Sequence, residues 1–308
     1  MTNTSTLKTS GPFSLAASIA FLEAFTPASV DARHDDHLHL ACCVDGSWQP
    51  VAACARDDGG RVAIEWEGPA GDAVPDQVAR ILSLDVDGEG FAAVGDADPI
   101  VGALQRRYPG LRPVCFWSAY EAACWAVISQ RIRIVQAADL KARITREHGH
   151  PVAIHGEELA AFPSPSRLLE VADQLPLPDV KIERLRGVAT TALGTDLLLG
   201  AHLRSLDPAD AVEAVQAIDG IGPFSAEHIV VRGAGAPDRF PETEARLLDS
   251  MRTAYGRPGA STAELAAVAE AWRPYRSWVS VLLRKAREDD TGEITGRPVT
   301  RPASTGGR

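Results

Sequence analysis

Two glycines separated by a single residue lie between two helical patterns in the last third of the chain. Residues 217–233 read AIDGIGPFSAEHIVVRG, and the segments on both sides of the glycines space their apolar residues as amphipathic helices do. Gly220 and Gly222 can adopt positive φ or admit another backbone closely, and Pro223 suits the first turn of a helix. The pattern therefore predicts two helices joined by a very tight hairpin.

The start of the second helix is a candidate anion site. Its first N–H groups lack partners within the helix and point outward together, which favours a bound anion. Two interpretations remain open from the loop alone. One is a plain turn that needs glycine only for its geometry, and the other is a helix-hairpin-helix motif that holds a DNA phosphate through main-chain N–H groups. In the second interpretation the DNA-binding residues of the hairpin are Gly220, Ile221, Gly222, Phe224 and Ser225.

The N-terminal third carries a different periodicity. HLHLACCV alternates apolar and polar residues, and it is followed by DG, SWQPVAACA, the turn DDGG and a further alternating segment. This predicts a meander of about three antiparallel strands. A helix near 76–84 should cover the apolar face, giving a small α+β domain that ends near Gly102. The apolar face comprises Leu38, Leu40, Cys42, Val44, Val62, Ile64 and Trp66.

From about residue 103 onward, short helical patterns alternate with Pro, Gly and Asp/Ser clusters. This part of the chain is expected to be all-α. The predicted fold class is therefore mainly α, with many short helices preceded by a small antiparallel α+β domain. The predicted divisions are a disordered N-terminus at 1–10, the α+β domain at 11–102, helical domains at 103–290 with the helix-hairpin-helix at about 211–233, and a disordered tail at 291–308.

The charge distribution decides whether DNA is a plausible partner. A net charge of −10 argues against one, because phosphate binding depends on basic residues that displace counterions. Residues 1–105, however, hold 5 Lys and Arg against 16 Asp and Glu, which leaves 26 basic and 25 acidic residues in the rest. The acidity belongs to the first third, a region expected to face away from any duplex. Short basic groups elsewhere fit solvated helix faces or, less simply, a phosphate-facing surface.

Cysteine and histidine spacing gives little sign of a metal site. The five cysteines are scattered and lack a C-x2-C pair, which indicates reduced thiols in a cytosolic protein. His37 and His39 lie two apart on the polar side of a strand, without a carboxylate or cysteine at supporting spacing. A surface position is therefore the preferred interpretation over a metal site. The sequence has no apolar run of membrane-spanning length, and SLAASIAFL lacks the flanks of a secretion signal.

Three segments together resemble a known family. They are GIGPFSAEHIVVRGAGAPDRFPETEARL, WRPYRSW at 272–278, and AYEAACWAVISQRI upstream. They are similar to the helix-hairpin-helix superfamily of base-excision DNA glycosylases, and within it to the 3-methyladenine DNA glycosylase II family. The likeness covers roughly residues 11–288, and this family also places an antiparallel α+β domain before its helical domains.

The resemblance implies hydrolysis of the N-glycosidic bond of a damaged base that has been flipped out of duplex DNA. The catalytic group would be a carboxylate that stabilises an oxocarbenium-like sugar, and by position it is Glu244. Phe224 stands where lyase-active branches carry a lysine, which implies a monofunctional enzyme. No four-cysteine cluster for an iron–sulfur site follows the helical domain. A cytoplasmic, nucleoid-associated monomer without a catalytic cofactor is expected.

Two positions depart from the family pattern. The catalytic carboxylate is normally an aspartate, and glutamate moves the charge by about 1.5 Å, whereas a misplacement of about 1 Å can cost on the order of a hundredfold in rate. Arg284 stands where one branch stacks an aromatic residue on the base. It could favour neutral bases, pair with Glu244, or belong to a differently built pocket. A non-excising DNA-binding paralogue, or a scaffold without DNA affinity, therefore remains an alternative.

The resemblance also implies the remaining site residues. Gln130 and Arg131 match the site whose side chain fills the gap left by the flipped nucleotide, and Arg131 could also contact a phosphate there. A solvated helix end is the alternative for Arg131. The main-chain carbonyls of Gln216, Ile218 and Ile221 would hold a structural Na⁺ or K⁺ ion. The predicted base pocket is formed by Phe224, Tyr120, Trp278 and Arg284.

Overall fold

The computed structural model describes residues 2–24, 33–34, 37–68, 71 and 73–294. Its N-terminal part is a five-stranded antiparallel sheet with strand order β1-β5-β4-β3-β2. Helix α1 (Leu15–Ala24) and helix α2 (Ala73–Ile81) accompany it. The strands are β1 (Asn3–Lys8), β2 (Arg33–His34), β3 (His37–Cys43), β4 (Pro50–Asp57) and β5 (Arg61–Glu67).

The alternating pattern placed the apolar face of this sheet correctly. Leu38, Leu40 and Cys42 of β3 are buried in the same core as Ile64 and Trp66 of β5, with α1 and α2 packed against them. Burial of a large aliphatic or aromatic side chain contributes about 1.5–3 kcal/mol. This shared face therefore accounts for much of the stability of the N-terminal part.

The prediction of a disordered N-terminus at 1–10 is wrong for residues 3–8. They form β1, which pairs along its full length with β5, from Asn3 opposite Trp66 to Lys8 opposite Arg61. The pairing joins segments almost sixty residues apart, so no local pattern could reveal it. The tail predicted at 291–308 lies outside the described residues from 295 onward, while Thr291 ends the last helix.

The rest of the chain is mainly helical, as predicted. The expectation of a purely α second part is wrong, however, because it contains a two-stranded hairpin, β6 (His150–Ile154) and β7 (Glu157–Ala161). Among the described residues, no helix is both long and apolar enough to cross a membrane. The helices are α3 (Phe91–Ala97), α4 (Pro99–Arg107), α5 (Ala119–Ile128), α6 (Ile134–His148), α7 (Pro165–Val171), α8 (Asp179–Gly194), α9 (Gly200–Ser205), α10 (Pro208–Gln216), α11 (Pro223–His228), α12 (Ala245–Ala254), α13 (Thr262–Ala269) and α14 (Arg276–Thr291).

The hairpin β6–β7 covers the second face of the sheet. Ile154 packs on Ala52 and Cys54 of β4, and Ala161 packs on Ala41 and Cys43 of β3. The polar face expected from the alternating pattern is thus covered by protein along much of its length. This arrangement buries His39, which is only 1% exposed, so the prediction that it lies on the surface is wrong.

Two large cores hold the helices together. One surrounds α5, in which every residue is buried, and contains α8, α10 and α11. The other joins the N-terminal sheet to α12, α13 and α14, so the end of the chain returns to pack with its beginning. Buried Arg80 of α2 links the two, because it donates hydrogen bonds to the carbonyls of Phe116, Trp117 and Gly233.

Candidate active site and hairpin

The tight turn at residue 220 has the geometry that the sequence predicts. Helix α10 ends at Gln216, the Ile221 N–H donates to the Ile218 carbonyl at 3.0 Å, and Pro223 opens α11. Gly220 has φ +81°, and a Cβ there would lie 2.4 Å from Cδ of Arg184. Only glycine fits this position without movement of the neighbouring side chain.

Gly222 plays a different part from Gly220. Its φ of −83° is open to any residue, and an added Cβ would meet no atom within 4 Å. Among the residues that the structure describes, no neighbouring atom therefore crowds the Cβ position of Gly222, the residue just before α11. The helical path continues past His228 through a π turn at Ile229–Gly233, which extends the segment beyond α11 itself.

Gln130 and Arg131 differ in their environment. The Gln130 side-chain amide donates to the Gly220 carbonyl at 2.6 Å and accepts from Nη1 of Arg184 at 2.7 Å. Gln130 thus supports the hairpin, and the same hydrogen bonds fix the position of its own side chain. Arg131 is exposed beside it, in a left-handed conformation with φ +57°. Of the two predicted gap-filling residues, Arg131 is the one whose side chain faces solvent.

A cavity of about 330 Å³ lies beside the hairpin. The half-exposed Phe224 and Ser225 line it from α11, while Glu244 lines it from the start of α12. Arg284 lines it from α14. The other lining residues are Phe21, Trp125, Ala126, Ser129, Ile132, Ile134, Glu227, His228, Val231, Arg232, Pro241, Arg246, Ser280, Val281, Lys285, Glu288 and Ile294.

Glu244 forms an ion pair with Arg284 inside this cavity. Nε of Arg284 lies 2.7 Å from Oε1 of Glu244, and the two side chains are 15% and 20% exposed. Arg284 also contacts the Glu293 carboxylate at 3.4 Å. Of the three outcomes considered for Arg284, the structure contains the ion pair. The Glu244 carboxylate is therefore present in the cavity but already has a cationic partner.

Buried Glu227 holds the loop that leads to Glu244. Its carboxylate accepts from the Thr243 N–H at 2.9 Å, from the Glu242 N–H at 3.3 Å and from the Thr243 hydroxyl, and it pairs with Nη2 of Arg239 at 2.6 Å. The sequence analysis missed this residue. Its only signal was an acid among the apolar residues of AEHIVV, and that signal is ambiguous without knowledge of what packs against it.

The WRPYRSW segment anchors the other end of the same loop. Nε of Arg276 pairs with Asp238 at 2.7 Å, and the Ser277 hydroxyl donates to the Arg239 carbonyl at 2.9 Å while accepting from the Arg239 N–H at 3.0 Å. The loop from 238 to 244 is thus fixed from both α11 and α14. Such double support keeps a carboxylate on the loop within a narrow range of positions.

His228 and Arg232 give the cavity wall an unusual charge pattern. Burial, followed by repulsion from Arg232, lowers the pKa of His228 to about 3, so the imidazole is neutral at physiological pH. Burial also lowers the pKa of Arg232, to about 10, against the raising influence of Cys115 and Glu244. The ring of Phe224 stacks on His228 with centroids 6.0 Å apart. A neutral aromatic surface and the Arg232 cation therefore face the same space.

Tyr120 and Trp278 do not line the cavity, and their assignment to the base pocket is wrong. Tyr120 is 2% exposed, donates to the Pro163 carbonyl at 3.1 Å and packs edge-on against Trp48. Trp278 is also 2% exposed and lies under the Arg112 guanidinium at 5.0 Å. Both are core residues because their helices turn these faces towards packed side chains.

The predicted monovalent-cation site stays a prediction. Gln216 closes α10, and Ile218 and Ile221 belong to the hairpin turn, so the three carbonyls come from one compact segment. The Ile218 carbonyl already accepts the Ile221 N–H, and a carbonyl oxygen has a second lone pair. The segment is compatible with a cation held by main-chain oxygens.

Comparison with known proteins identifies relatives of the chain, although no protein-family model matches it. It is 30% identical over 203 residues to a Mycobacterium tuberculosis protein described as a probable bifunctional transcriptional activator/DNA repair enzyme AlkA, which covers 65% of this chain and 40% of that protein. It is 30% identical over 181 residues to DNA-3-methyladenine glycosylase 2 of Escherichia coli, which covers 58% of this chain and 61% of that enzyme. The chain thus spans less than two thirds of either relative.

The similarity in fold to a solved structure extends over nearly the whole chain. A 3-methyladenine DNA glycosylase from Archaeoglobus fulgidus superimposes with a TM-score of 0.73 at 22% identity, covering 91% of this chain and 96% of that one. Its identity is low enough that this likeness concerns the fold alone. The chain is thus similar in sequence to named DNA-3-methyladenine glycosylases and shares the fold of a solved one.

Proposed function

We propose that the protein is a monofunctional DNA glycosylase that hydrolyses the N-glycosidic bond of damaged bases flipped out of duplex DNA. The observation that carries the proposal is the Glu244 carboxylate, which lines a cavity next to the hairpin. A flipped base needs a concave, largely apolar site, and the developing sugar cation needs a nearby carboxylate. Both requirements are met in one place.

The chemistry assigned to this site is simple. Phe224, 50% exposed, offers an aromatic surface on which the extruded base can stack. Glu244 would stabilise positive charge on the sugar as the bond to the base lengthens, and would orient the attacking water. Because the position of Phe224 offers no amine, a Schiff-base step from that position is absent from the proposal.

The preferred substrate would be a neutral damaged base. The cavity lining carries the cations Arg232, Arg246, Arg284 and Lys285 against the carboxylates of Glu227, Glu244 and Glu288, and the neutral His228 adds no charge. Arg284 stands where one branch of the resembling family stacks an aromatic residue, so a cationic alkylpurine would meet a guanidinium in place of a π surface. Hypoxanthine and ethenoadenine would meet no charge repulsion from that guanidinium.

Duplex DNA would bind across the hairpin. The uncrowded Cβ position of Gly222 would give a phosphate access to the N–H groups that begin α11, and exposed Arg131 and Arg133 lie nearby in sequence to Gln130, which contacts the hairpin. The acidic N-terminal third would face away from the duplex. We also propose that the protein acts as a monomer on chromosomal DNA in the cytoplasm.

Single-turnover base release tests the catalytic assignment. Duplexes carrying 3-methyladenine, 7-methylguanine, hypoxanthine or ethenoadenine would be incubated with excess wild type, Glu244→Gln or Glu244→Asp. Loss of the carboxylate should slow release by about 100–1,000-fold, the scale of removing one transition-state stabilising group. Glu242→Gln is the matched control, because this exposed acid lies two residues away and outside the cavity lining. Unchanged release by Glu244→Gln would refute the assignment.

A second candidate function is a paralogue that binds DNA or a lesion without excising it. The Glu244–Arg284 ion pair favours this alternative, because it neutralises the carboxylate that would stabilise the sugar. Such a protein would bind duplex DNA with a strong salt dependence yet release no base. Release gained in Glu244→Asp, with none in wild type, would establish a family scaffold disabled at this side chain.

A further inference from the structure

Three metal-ligating side chains meet on the sheet face far from the cavity in the fold. His37 and His39 lie two apart on β3 and so project from the same face, and Cys54 of β4 stands directly opposite His39 in the strand register. One donor atom from each lies within 4.8 Å of the other two. This is the only convergence of three His, Cys, Asp or Glu donors among the residues that the structure describes.

The cluster is enclosed by the hairpin β6–β7. His39 and Cys54 are each 1% exposed, and Ile154 of the hairpin packs against Cys54. His37 is only partly buried, so the cluster has one edge open to solvent. A metal ion needs ligands and also a path by which it can enter. The buried thiol and imidazole supply the ligands and the open edge supplies the path, so the cluster is better explained as a metal site than as a polar surface.

Glu157 of the hairpin orients His39. Its Oε2 lies 2.9 Å from Nδ1 of His39, which places the proton on that nitrogen and leaves Nε2 as the atom through which this histidine would ligate an ion. Carboxylate partners of this kind are typical of metal-binding histidines.

His155 lies beside the cluster but does not serve as a ligand. Its ring centroid lies 5.4 Å from that of His39, but Nε2 bonds to Glu65 at 2.7 Å and Nδ1 lies 3.4 Å from Nη2 of Arg56. Both ring nitrogens therefore have partners. A fourth ligand, if a tetrahedral ion binds, would be water at the open edge beside His37.

We propose that His37, His39 and Cys54 form a zinc site that joins strands β3 and β4 beneath the hairpin β6–β7. Two imidazoles and one thiolate suit Zn²⁺, whose bond lengths place tetrahedral ligand atoms about 3.4–3.6 Å apart. The donor atoms, within 4.8 Å, need to close by about 1 Å, a movement within the reach of side-chain rotation. Ion binding displaces the thiol proton to solvent.

None of the three ligands lines the cavity at Glu244. The site is therefore independent of base release, and its role is to cross-link strands β3 and β4 beneath the hairpin β6–β7. Zinc should raise the thermal midpoint of unfolding by about 5–8 °C with free ion at about a hundred times Kd. Base release from damaged duplexes should be the same with and without the ion.

Metal titration of the full chain tests the proposal. Protein stripped with a chelator and kept reduced would be titrated with Zn²⁺ by calorimetry and with Co²⁺ by absorbance, where thiolate ligation gives an intense near-ultraviolet band. We expect about one equivalent per chain, loss of the band in Cys54→Ser, and affinity weakened by about 10–100-fold in Glu157→Gln through the orienting bond. Cys115→Ser is the matched control, since Cys115 is also a buried cysteine outside any disulfide but lies outside the cluster.

Partly exposed His37 provides a second variant should Cys54→Ser fold poorly. His37→Ala should remove most of the affinity while the circular dichroism spectrum stays that of wild type. The proposal is overturned if folded wild type binds less than a tenth of an equivalent at 100 µM free Zn²⁺, or if Cys115→Ser loses the cobalt band as fully as Cys54→Ser.

Discussion

Glu227 is the residue whose replacement most directly tests how the Glu244 carboxylate is held. Glu227→Gln keeps the side-chain size but removes the charge that pairs with Arg239 at 2.6 Å and that accepts from the Thr243 and Glu242 N–H groups. Removing one partner of a buried ion pair costs about 3–5 kcal/mol. Arg239 is 20% exposed and glutamine retains one acceptor oxygen, so we expect about 2–3 kcal/mol.

Two readouts follow from this magnitude. The thermal midpoint should fall by about 4–8 °C, since a chain of this size loses roughly 2–3 °C per kcal/mol. Base release should slow by about a hundredfold, because a loop displaced by about 1 Å carries Glu244 out of position. If Glu227 acts through Glu244, adding Glu227→Gln to Glu244→Gln should cause little further loss of activity.

Glu121→Gln is the matched control for this experiment. Glu121 forms a comparably buried ion pair with Lys141 at 2.7 Å, but it lies on α5 and does not line the cavity. Its replacement should lower stability to a similar extent and leave base release within about twofold of wild type at a temperature where both variants are folded. Equal loss of activity in the two variants, or wild-type activity in folded Glu227→Gln, would refute the positioning role.

Three further predictions concern the hairpin, the cavity and the sheet. Gly220→Ala should destabilise the protein by about 1–3 kcal/mol, because φ is positive and Arg184 occupies the Cβ position, whereas Gly222→Ala should stay within about 0.5 kcal/mol of wild type in urea unfolding. The folded pKa of His228, about 3, lies below its unfolded value near 6.5, so the unfolded state binds the proton first and stability falls as pH drops from about 6.5 towards 3. His228→Gln should reduce that slope, measured by unfolding between pH 4.5 and 7, and an unchanged slope would contradict the assignment. Deletion of residues 1–9 removes β1 and leaves β5 as an open edge, so the midpoint should fall and aggregation rise; a truncated chain as stable as wild type would show that β1 contributes nothing.

Local chemistry was sufficient for several features. The alternation in HLHLACCV specified which face of β3 enters the core, and the Gly-x-Gly-Pro segment specified the hairpin with positive φ at Gly220. These features depend on residues a few positions apart, so the neighbouring sequence is sufficient to predict them. Glu244 and Arg284, by contrast, were singled out by the resemblance to a known family, and they meet at 2.7 Å in the structure.

Other features were decided only when distant segments packed together. Tyr120 and Trp278 carry the aromatic rings expected of a base pocket, yet their helices turn them into the core. Glu227 supports the 238–244 loop because the π turn and α14 bring that loop over α11. Helical periodicity predicts that a face is buried, but it does not identify the segment that buries it.

The histidine pair shows the same division most clearly. The spacing of His37 and His39 determined that both project from one side of β3, and on that basis a surface position was expected. Cys54 stands opposite through strand pairing, and Glu157 reaches His39 from a hairpin more than a hundred residues further along the chain. The sequence by itself determined the direction of each side chain, because that depends on local backbone geometry. Only the tertiary structure decided which side chains meet, because register and long-range packing set the distances between them.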